Sequence, residues 1–282
     1  MDTIQRFLFK DLDIRGQHLK IDQAWSKMTE NRGYPDSIIA LLGELTAIAI
    51  MMANGMKHQG KVTLQVQGQG PINLLVVEVT HDLKLRGVAK TNQTITSEST
   101  MDELLGDGQV MVTMENTQTQ HHFQSFVPRE GDSIAEVFET FFNQSEQLAT
   151  RLWLGANRDT LAGVMIQKLP GTDHRDEDGW DRVLSLSNTL NTEELCSCES
   201  QELLHRLFHE ETLELFESKT VMYECPEDKT RVELLLKSMG EEEVRQLLAE
   251  QGEIVIHNEI CNYHLRFNEE DINQLFKPEL NS

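Results

Sequence analysis

The side chains best suited to chemistry in this chain are its four cysteines, Cys196, Cys198, Cys225 and Cys261. A cysteine thiolate can bind zinc, and it can also be oxidised reversibly to a disulfide. Static disulfide frameworks are uncommon in reducing compartments. We therefore expect metal binding or redox sensing rather than a set of permanent cross-links.

Two histidines near Cys261 could complete a metal site. Cys261-x-x-His264 has a spacing found among zinc ligands, and His257 precedes the same cysteine. The ring nitrogen of either histidine is an acceptable zinc ligand beside a thiolate.

The pair Cys196-Ser197-Cys198 is a second candidate for redox chemistry. A disulfide across a single residue would be strained and easily reduced, which suits a redox sensor. The plainer alternatives are that these two cysteines are small residues on a helix, and that all four are structural.

The motifs of common enzyme classes are missing from the sequence. We find no GxSxG, P-loop, HExxH or Rossmann glycine pattern, and so expect neither an enzyme nor a bound nucleotide. A thiol oxidoreductase would normally carry CxxC at a helix N-terminus, which the sequence also lacks.

The charge of the chain limits its partners. The net charge is −22, and phosphate binding needs clustered Lys and Arg, so nucleic acid is disfavoured. No apolar run approaches the roughly 18 residues of a membrane span, so no membrane association is expected. The first residues lack the basic and apolar segments of a secretory signal, which predicts a cytoplasmic protein.

Changes of hydrophobic period indicate the elements that must position these residues. The first 60 residues carry helical signals, above all in the apolar stretch 37–56. A helix with a Phe-rich face is predicted within 133–150. Period-two patterns predict strands near residues 62–66, 83–89, 110–114, 122–127 and 164–169.

The C-terminal part has a different pattern. The polar stretch 172–181 predicts an exposed connection, and amphipathic helices are expected in 183–190 and 193–216. Further on, Ser238-x-x-Glu241 and Asn268-x-x-Asp271 each predict a helix N-cap.

We predict an α+β fold with three parts. These are an N-terminal core of sheet and helices (1–175), a helical linker (176–218) and a small C-terminal α+β domain of zinc or redox type (219–282). A unit as small as the last often needs a metal or another cross-link for stability.

Several collinear strings resemble the heat-shock protein 33 family, and the similarity runs along essentially the whole chain. None of these strings is a catalytic signature. They include Ile14-Arg15-Gly16, Gly68-Gln69-Gly70-Pro71, Leu85-Arg86-Gly87-Val88-Ala89, Ser145-Glu146-Gln147-Leu148 and Leu247-Leu248-Ala249-Glu250-Gln251-Gly252.

The resemblance implies a chaperone that works without ATP. In the family, a CxC and a later CxxC bind zinc as thiolates, and oxidants convert them to disulfides and release the metal. The small domain and the linker then unfold, and the exposed linker surface binds unfolding proteins. The expected partners are therefore unfolded or partly unfolded client proteins, with a homodimer in the activated state.

The sequence departs from the family at two of the four cysteine positions. Where the family has CxC it reads Cys225-Pro226-Glu227, and where the family has CxxC it reads Asn258-Glu259-Ile260-Cys261. Glu227 and Asn258 thus replace two ligands, while Cys196 and Cys198 match no family position.

Because Cys225 and Cys261 keep the first and last of the family positions, the resemblance allows three arrangements. In the first, zinc is not bound tightly, and Cys225 and Cys261 form one reversible disulfide. In the second, a weaker mixed zinc site joins these two cysteines with His257, His264 or the carboxylate of Glu227. In the third, Cys196 and Cys198 complete a four-thiolate zinc site.

We accordingly expect an ATP-independent holdase that prevents aggregation under oxidative or heat stress. Its redox-active candidates are Cys225, Cys261, Cys196 and Cys198, and the candidate zinc ligands are Cys225, Cys261, His264 and His257. The alternative is a constitutively active, zinc-free chaperone or adaptor of the same fold that has lost the redox switch. A thiol oxidoreductase is the least favoured class.

Overall fold

The computed structural model describes residues 2–170, 176–226 and 229–277. They form two compact units, one within Met1–Glu224 and one within Cys225–Ser282. Both units combine strands with helices, which confirms the α+β prediction. The separation of a linker, 176–218, from the core stays a prediction. Residues 171–175, which directly precede its predicted start, lie outside the described residues.

Two six-stranded antiparallel sheets form the frame of the first unit, apart from one short parallel pair in the second sheet. The strands of sheet A are β1 (Thr3–Phe9), β2 (Ile14–Ile21), β8 (Thr150–Ala156), β9 (Leu161–Lys168), β10 (Leu213–Leu215) and β11 (Lys219–Thr220). Their order is β10-β1-β2-β9-β8, and β11 also pairs with β1.

The second sheet follows the chain more closely. Its strands are β3 (Gly60–Gln67), β4 (Ile72–Thr80), β5 (Lys84–Thr91), β6 (Gln109–Asn116), β7 (His121–Val127) and β12 (Met222–Tyr223). Their order in this sheet B is β12-β5-β4-β3-β6-β7, so β7 ends the sheet. The strands predicted near 62–66, 83–89, 110–114, 122–127 and 164–169 are all present.

Seven helices complete the first unit among its described residues. They are α1 (Gln23–Thr29), α2 (Asp36–Gly55), α3 (Met101–Leu105), α4 (Ile134–Ser145), α5 (Gly179–Ser187), α6 (Thr192–Ser197) and α7 (Ser200–Phe208). We refer to α5, α6 and α7 together as the linker helices.

Helix α2 is buried between the two sheets. Its apolar residues share one hydrophobic core with Leu19 and Ile21 of sheet A and with Val62 and Leu64 of sheet B. By length and composition this helix could cross a membrane, so the expectation that no apolar stretch approaches that length was wrong. Because 78% of its apolar window is buried within the protein, we interpret α2 as a core helix.

The helical prediction for the first 60 residues is right for α2 and wrong for residues 3–21, which form β1 and β2. Strand β2 is buried at seven of its eight positions, on both faces. Apolar and polar residues therefore do not alternate along it, and the period-two signal is lost. The predicted helix 193–216 is likewise too long, since residues 213–215 form β10 on the edge of β1.

The second unit consists of three helices and a hairpin in its described part. These are α8 (Lys229–Met239), α9 (Glu241–Gln251), β13 (Ile254–Asn258), β14 (Tyr263–Phe267) and α10 (Glu269–Leu275). Its core has seven buried apolar residues, Leu236, Val244, Leu248, Ile254, Leu265, Phe267 and Ile272.

The two N-cap predictions for this unit have opposite outcomes. The Asn268 side chain accepts hydrogen bonds from the backbone of Glu270 and Asp271, and the Asp271 carboxylate accepts one from the Asn268 backbone N–H, which confirms that cap. The Ser238 cap is wrong. Helix α8 continues to Met239, where the Ser238 hydroxyl donates to the Leu235 carbonyl, and α9 begins after Gly240, whose φ of 97° favours glycine.

Candidate functional site: the cysteines and the buried linker face

Cys225 and Cys261 are joined as a disulfide in the second unit, with Cα atoms 5.7 Å apart. Cys261 lies in the turn between β13 and β14, where its backbone N–H donates to the Asn258 side chain over 3.1 Å. The Tyr263 hydroxyl donates to the Pro226 carbonyl over 3.2 Å. The disulfide and this hydrogen bond thus attach the hairpin to the segment that begins the unit.

The two candidate histidine ligands face each other across the same hairpin. His257 and His264 are direct partners in the β13–β14 register, and their rings stack with centroids 4.4 Å apart. The Nε2 atom of His257 lies 3.2 Å from the Asn262 side-chain oxygen.

The described residues do not fit a zinc ion in this disulfide-bonded form. Zinc needs thiolates, and the sulfur atoms of Cys225 and Cys261 are bonded to each other. Within residues 2–170, 176–226 and 229–277, no three His, Cys, Asp or Glu side chains come together as a metal site. Glu227 lies outside the described residues. A zinc site formed by Cys225, Cys261, His257 and His264 in the reduced protein stays a prediction.

Cys196 and Cys198 are free thiols buried in the first unit. Cys196 is on α6, and Cys198 follows the helix as its C-cap residue. Burial raises the pKa of the Cys196 thiol, and the positive charge of Lys20 only partly opposes this effect. The thiol form is therefore favoured, which makes Cys196 a poor nucleophile while it remains buried.

Both thiols belong to a second hydrophobic cluster, which joins the linker helices to sheet A. The apolar side of α7, with Val183 of α5, forms what we call the linker face, and it consists of Val183, Leu203, Leu204, Leu207 and Phe208. The outer face of sheet A, on the side away from α2, supplies Phe7, Phe9, Ile14, Val164 and Ile166.

Phe208 lies at the centre of this cluster. Its ring centroid is 5.0 Å from that of Phe9, in an edge-to-face arrangement, and 6.4 Å from that of Phe7. Such aromatic pairs contribute about 0.5–1.5 kcal/mol beyond the burial of their area. The linker face is therefore bound to sheet A mainly by apolar contacts. Such contacts do not require a partner of a particular sequence.

Polar contacts between β2 and the linker helices border the cluster. The ammonium group of Lys20 lies 3.0 Å from the Glu199 carboxylate, and it also donates to the Ser197 carbonyl over 3.3 Å. The side chain of Lys20 is only 8% exposed, whereas that of Glu199 is 67% exposed. The buried positive charge of Lys20 is thus compensated by the carboxylate of Glu199, which is accessible to solvent.

His18 makes the second polar contact of this kind. Its Nδ1 atom lies 2.6 Å from the Ser200 hydroxyl, while its buried Nε2 atom has no hydrogen-bond partner among the described residues. Burial, with a smaller contribution from Lys20, lowers the pKa of His18 to about 4, against the opposing charge of Glu199. The imidazole is therefore neutral at neutral pH.

Sequence reasoning identified the linker helices but missed His18 and Lys20. Both lie on β2, which the sequence predicted as helical. The available signal was Gly16-x-His18-x-Lys20, which places two polar side chains on one face if residues 14–21 are a strand.

Comparison with known proteins gives a consistent result. A family model described as "Hsp33 protein" matches residues 2–268. The chain is 36% identical over 279 residues to the "33 kDa chaperonin" of Nitrosococcus oceani, covering 99% of this chain and 96% of the relative. It is 38% identical over 277 residues to the protein of the same name from Chromobacterium violaceum, covering 98% and 94%.

A solved structure supports the fold. The crystal structure of the 33 kDa chaperonin, a heat-shock protein 33 homologue, from Thermotoga maritima superposes with a TM-score of 0.81. The match covers 98% of each chain at 18% sequence identity.

Proposed function

This chain belongs to the Hsp33 protein family, and we propose that it is an ATP-independent holdase, which binds unfolding proteins and prevents their aggregation under oxidative or heat stress. The family and the names of its relatives support a chaperone. The proposed partners are unfolded or partly unfolded proteins, the proposed compartment is the cytoplasm, and a homodimer is the proposed activated state.

The observation that supports client binding most strongly is the linker face. Leu203, Leu204, Leu207 and Phe208 recur on one side of a nine-residue helix, α7, and all four are buried against sheet A. If the linker helices leave the sheet, both apolar surfaces become exposed. Apolar burial is worth roughly 25 cal/mol per Å² and does not depend on a particular client sequence.

We assign any redox dependence of this activity first to Cys225 and Cys261. Their disulfide closes a loop in a unit whose core has seven buried apolar residues in its described part, so the oxidation state of this pair affects a large share of that unit's stability. Cys196 and Cys198 are the second candidates. Oxidation of these two thiols would require the linker helices to open first, since both are buried.

A constitutively active chaperone of the same fold is the second candidate function. It is favoured by the loss of two of the four family cysteines, with Asn258 in one of the two positions. Asn258 instead accepts the backbone hydrogen bond of Cys261, which is a structural role.

One experiment separates these functions. Light scattering is recorded while a chemically unfolded enzyme is diluted into buffer containing the protein, either fully reduced or treated with peroxide at elevated temperature. Suppression by only one of the two forms supports a redox-switched holdase, and equal suppression by both forms supports the constitutive chaperone. If neither form suppresses aggregation, the chaperone proposal fails.

The double variant Cys225→Ser with Cys261→Ser then locates the redox sensor. We expect any difference between the two forms to disappear in this variant. An unchanged difference would move the sensor to Cys196 and Cys198, and Cys196→Ser with Cys198→Ser is the matched control.

A further inference from the structure

Strand β7 forms an open edge of sheet B. It pairs along its full length with β6, in a register that runs from Val110 opposite Val127 to Asn116 opposite His121. Within the described residues, no strand pairs with its other side. Alternate backbone N–H and C=O groups on that side are therefore available for hydrogen bonding with another strand.

The edge carries exposed aromatic side chains on both faces of the sheet. Phe126 is 64% exposed and Phe123 is 55% exposed, so each aromatic residue is largely accessible to solvent. Because the two residues are three positions apart, they point to opposite sides of the strand. A strand added at this edge would find an apolar neighbour on each face.

The edge also lacks the residues that normally prevent strand addition. Between Gln109 and Val127 the only charged residue is Glu115, although the chain as a whole carries a net charge of −22. Exposed edges are usually protected by Lys, Pro or a very short strand, yet β7 has seven residues and neither Lys nor Pro. The other long edge of the two large sheets, β8, carries Arg151.

Local contacts hold the edge in an extended conformation. The Gln124 side chain donates to the Thr113 hydroxyl over 3.4 Å and also to the Met111 sulfur. The turn that precedes β7 is fixed by the Asn116 side chain, which accepts hydrogen bonds from the backbone of Gln118 and Thr119. A partner strand would thus meet a surface that needs little further ordering.

We propose that the outer edge of β7 binds an extended, uncharged, apolar segment of an unfolded polypeptide as an added β-strand. The unpaired backbone groups select a strand, Phe123 and Phe126 select apolar side chains, and the lack of charge matches segments that aggregate. The inference builds on the proposed function, since it names where such a chaperone holds part of its client. This site is separate from the linker face and is exposed while the linker helices remain packed on sheet A.

The test uses the full-length protein and a fluorescent seven-residue peptide that alternates valine and threonine, matched to the length of β7. Binding is measured by fluorescence anisotropy. A second peptide has the same sequence with N-methyl groups on alternate amides, which removes the hydrogen-bond donors on one edge. We expect the first peptide to bind the wild type, and the N-methylated peptide to bind roughly tenfold more weakly or worse.

The variant Phe123→Lys with Phe126→Lys is compared with Leu234→Lys plus Leu235→Lys. The second pair adds the same charge at exposed leucines of α8, which are 62% and 55% exposed. Because all four side chains are largely exposed, both variants are expected to fold. We expect a loss of roughly tenfold or more in peptide affinity for the β7 variant only.

Three outcomes would overturn the inference. The β7 variant could bind the peptide like the wild type, or N-methylation could have no effect, or sedimentation could show a wild-type dimer that the β7 variant converts to a monomer. None of these outcomes affects the proposed function, which fails only if the wild-type protein does not suppress aggregation by light scattering.

Discussion

The Nδ1 atom of His18 lies 2.6 Å from the hydroxyl oxygen of Ser200, and this contact joins strand β2 to linker helix α7. Two residues along the strand, Lys20 pairs with Glu199, which directly precedes the same helix. The start of α7 is therefore attached to sheet A by two adjacent polar contacts. Protonation or substitution at either contact should change how readily the linker helices open.

The pH dependence of stability should reveal the buried imidazole of His18. Its pKa is lowered to about 4 in the folded protein, so between about pH 6.5 and pH 4 the unfolded state binds more protons than the folded state. The free energy of unfolding should fall as pH falls through this window, by roughly 3 kcal/mol in total. Denaturant unfolding of the wild type and of His18→Gln at several pH values measures this difference.

The wild type must be compared with His18→Gln because Glu44 also titrates in this pH range. Its effect on the free energy of unfolding has the opposite sign. Burial raises the pKa of Glu44 to about 7, and its contribution to stability is lost as pH rises towards that value. Glu44 is present in both proteins, so its effect cancels in the difference.

The exposed residue His81 gives the control, His81→Gln, which should behave like the wild type. A difference between wild type and His18→Gln that does not vary with pH would refute the prediction.

Removal of the negative charge opposite Lys20 should loosen the linker helices. In Glu199→Gln the buried ammonium group of Lys20 keeps its charge but loses its carboxylate partner, at a cost of about 1–2 kcal/mol. Cys196 and Cys198 are the free thiols when the disulfide is intact, and they are buried. Their rate of reaction with a thiol reagent under non-reducing conditions should therefore rise roughly five- to thirtyfold.

Glu202 on α7 supplies the matched control for this experiment. Its carboxylate pairs with Arg206 four residues along the helix, and both side chains are about half exposed. Such surface pairs contribute little to stability, so Glu202→Gln should leave the labelling rate close to that of the wild type. Equal acceleration in the two variants would show that Lys20 and Glu199 do not hold the linker.

Truncation of Phe208 should open the linker helices while the main core stays folded. Phe208→Ala removes the ring that packs on Phe7 and Phe9, at a cost of about 3–5 kcal/mol. We expect faster labelling of Cys196 and Cys198, and stronger suppression of aggregation without any oxidant. Thiol labelling and light scattering measure the two effects.

The control is Phe138→Ala, which removes a ring of the same size and burial from the core between the sheets. It should lower the melting temperature of the first unit without selective exposure of the linker cysteines. The proposal that the linker face binds clients would be contradicted if Phe208→Ala exposed both thiols but suppressed client aggregation no better than the wild type.

Reduction of the Cys225–Cys261 disulfide should lower, and not raise, the stability of the second unit. The Cys225–Cys261 disulfide joins residues 36 apart, and cross-linking a loop of this length stabilises by roughly 4 kcal/mol in the chain-entropy model. Hydrogen exchange with and without a reductant should show loss of protection in residues 229–277. Cys196→Ser with Cys198→Ser should respond to the reductant like the wild type, and protection that persists on reduction would contradict the prediction. Zinc added to the reduced protein tests whether a metal site with His257 and His264 restores the protection of residues 229–277.

Local sequence signals determined much of the fold. Helix α2, strand β3, the Phe-rich helix α4 and the Asn268 cap each depend on neighbouring residues, and each was predictable from hydrophobic period or capping chemistry. The family resemblance and the replacement of two cysteines by Glu227 and Asn258 are also properties of the sequence alone. They were sufficient to predict a chaperone with an altered cysteine switch.

The tertiary structure decided which side chains face each other. Strand β2 has no alternating pattern because it is buried on both faces, so its place at the centre of sheet A, with His18 and Lys20 against α7, could not be predicted locally. Residues 213–215 became strand β10 because β1 offered an open edge, although their own pattern favoured a helix. The disulfide between Cys225 and Cys261 was one of two pairings considered from the sequence. Each of these features depends on contacts between residues far apart in the chain, and such contacts leave no periodic signal within any one segment.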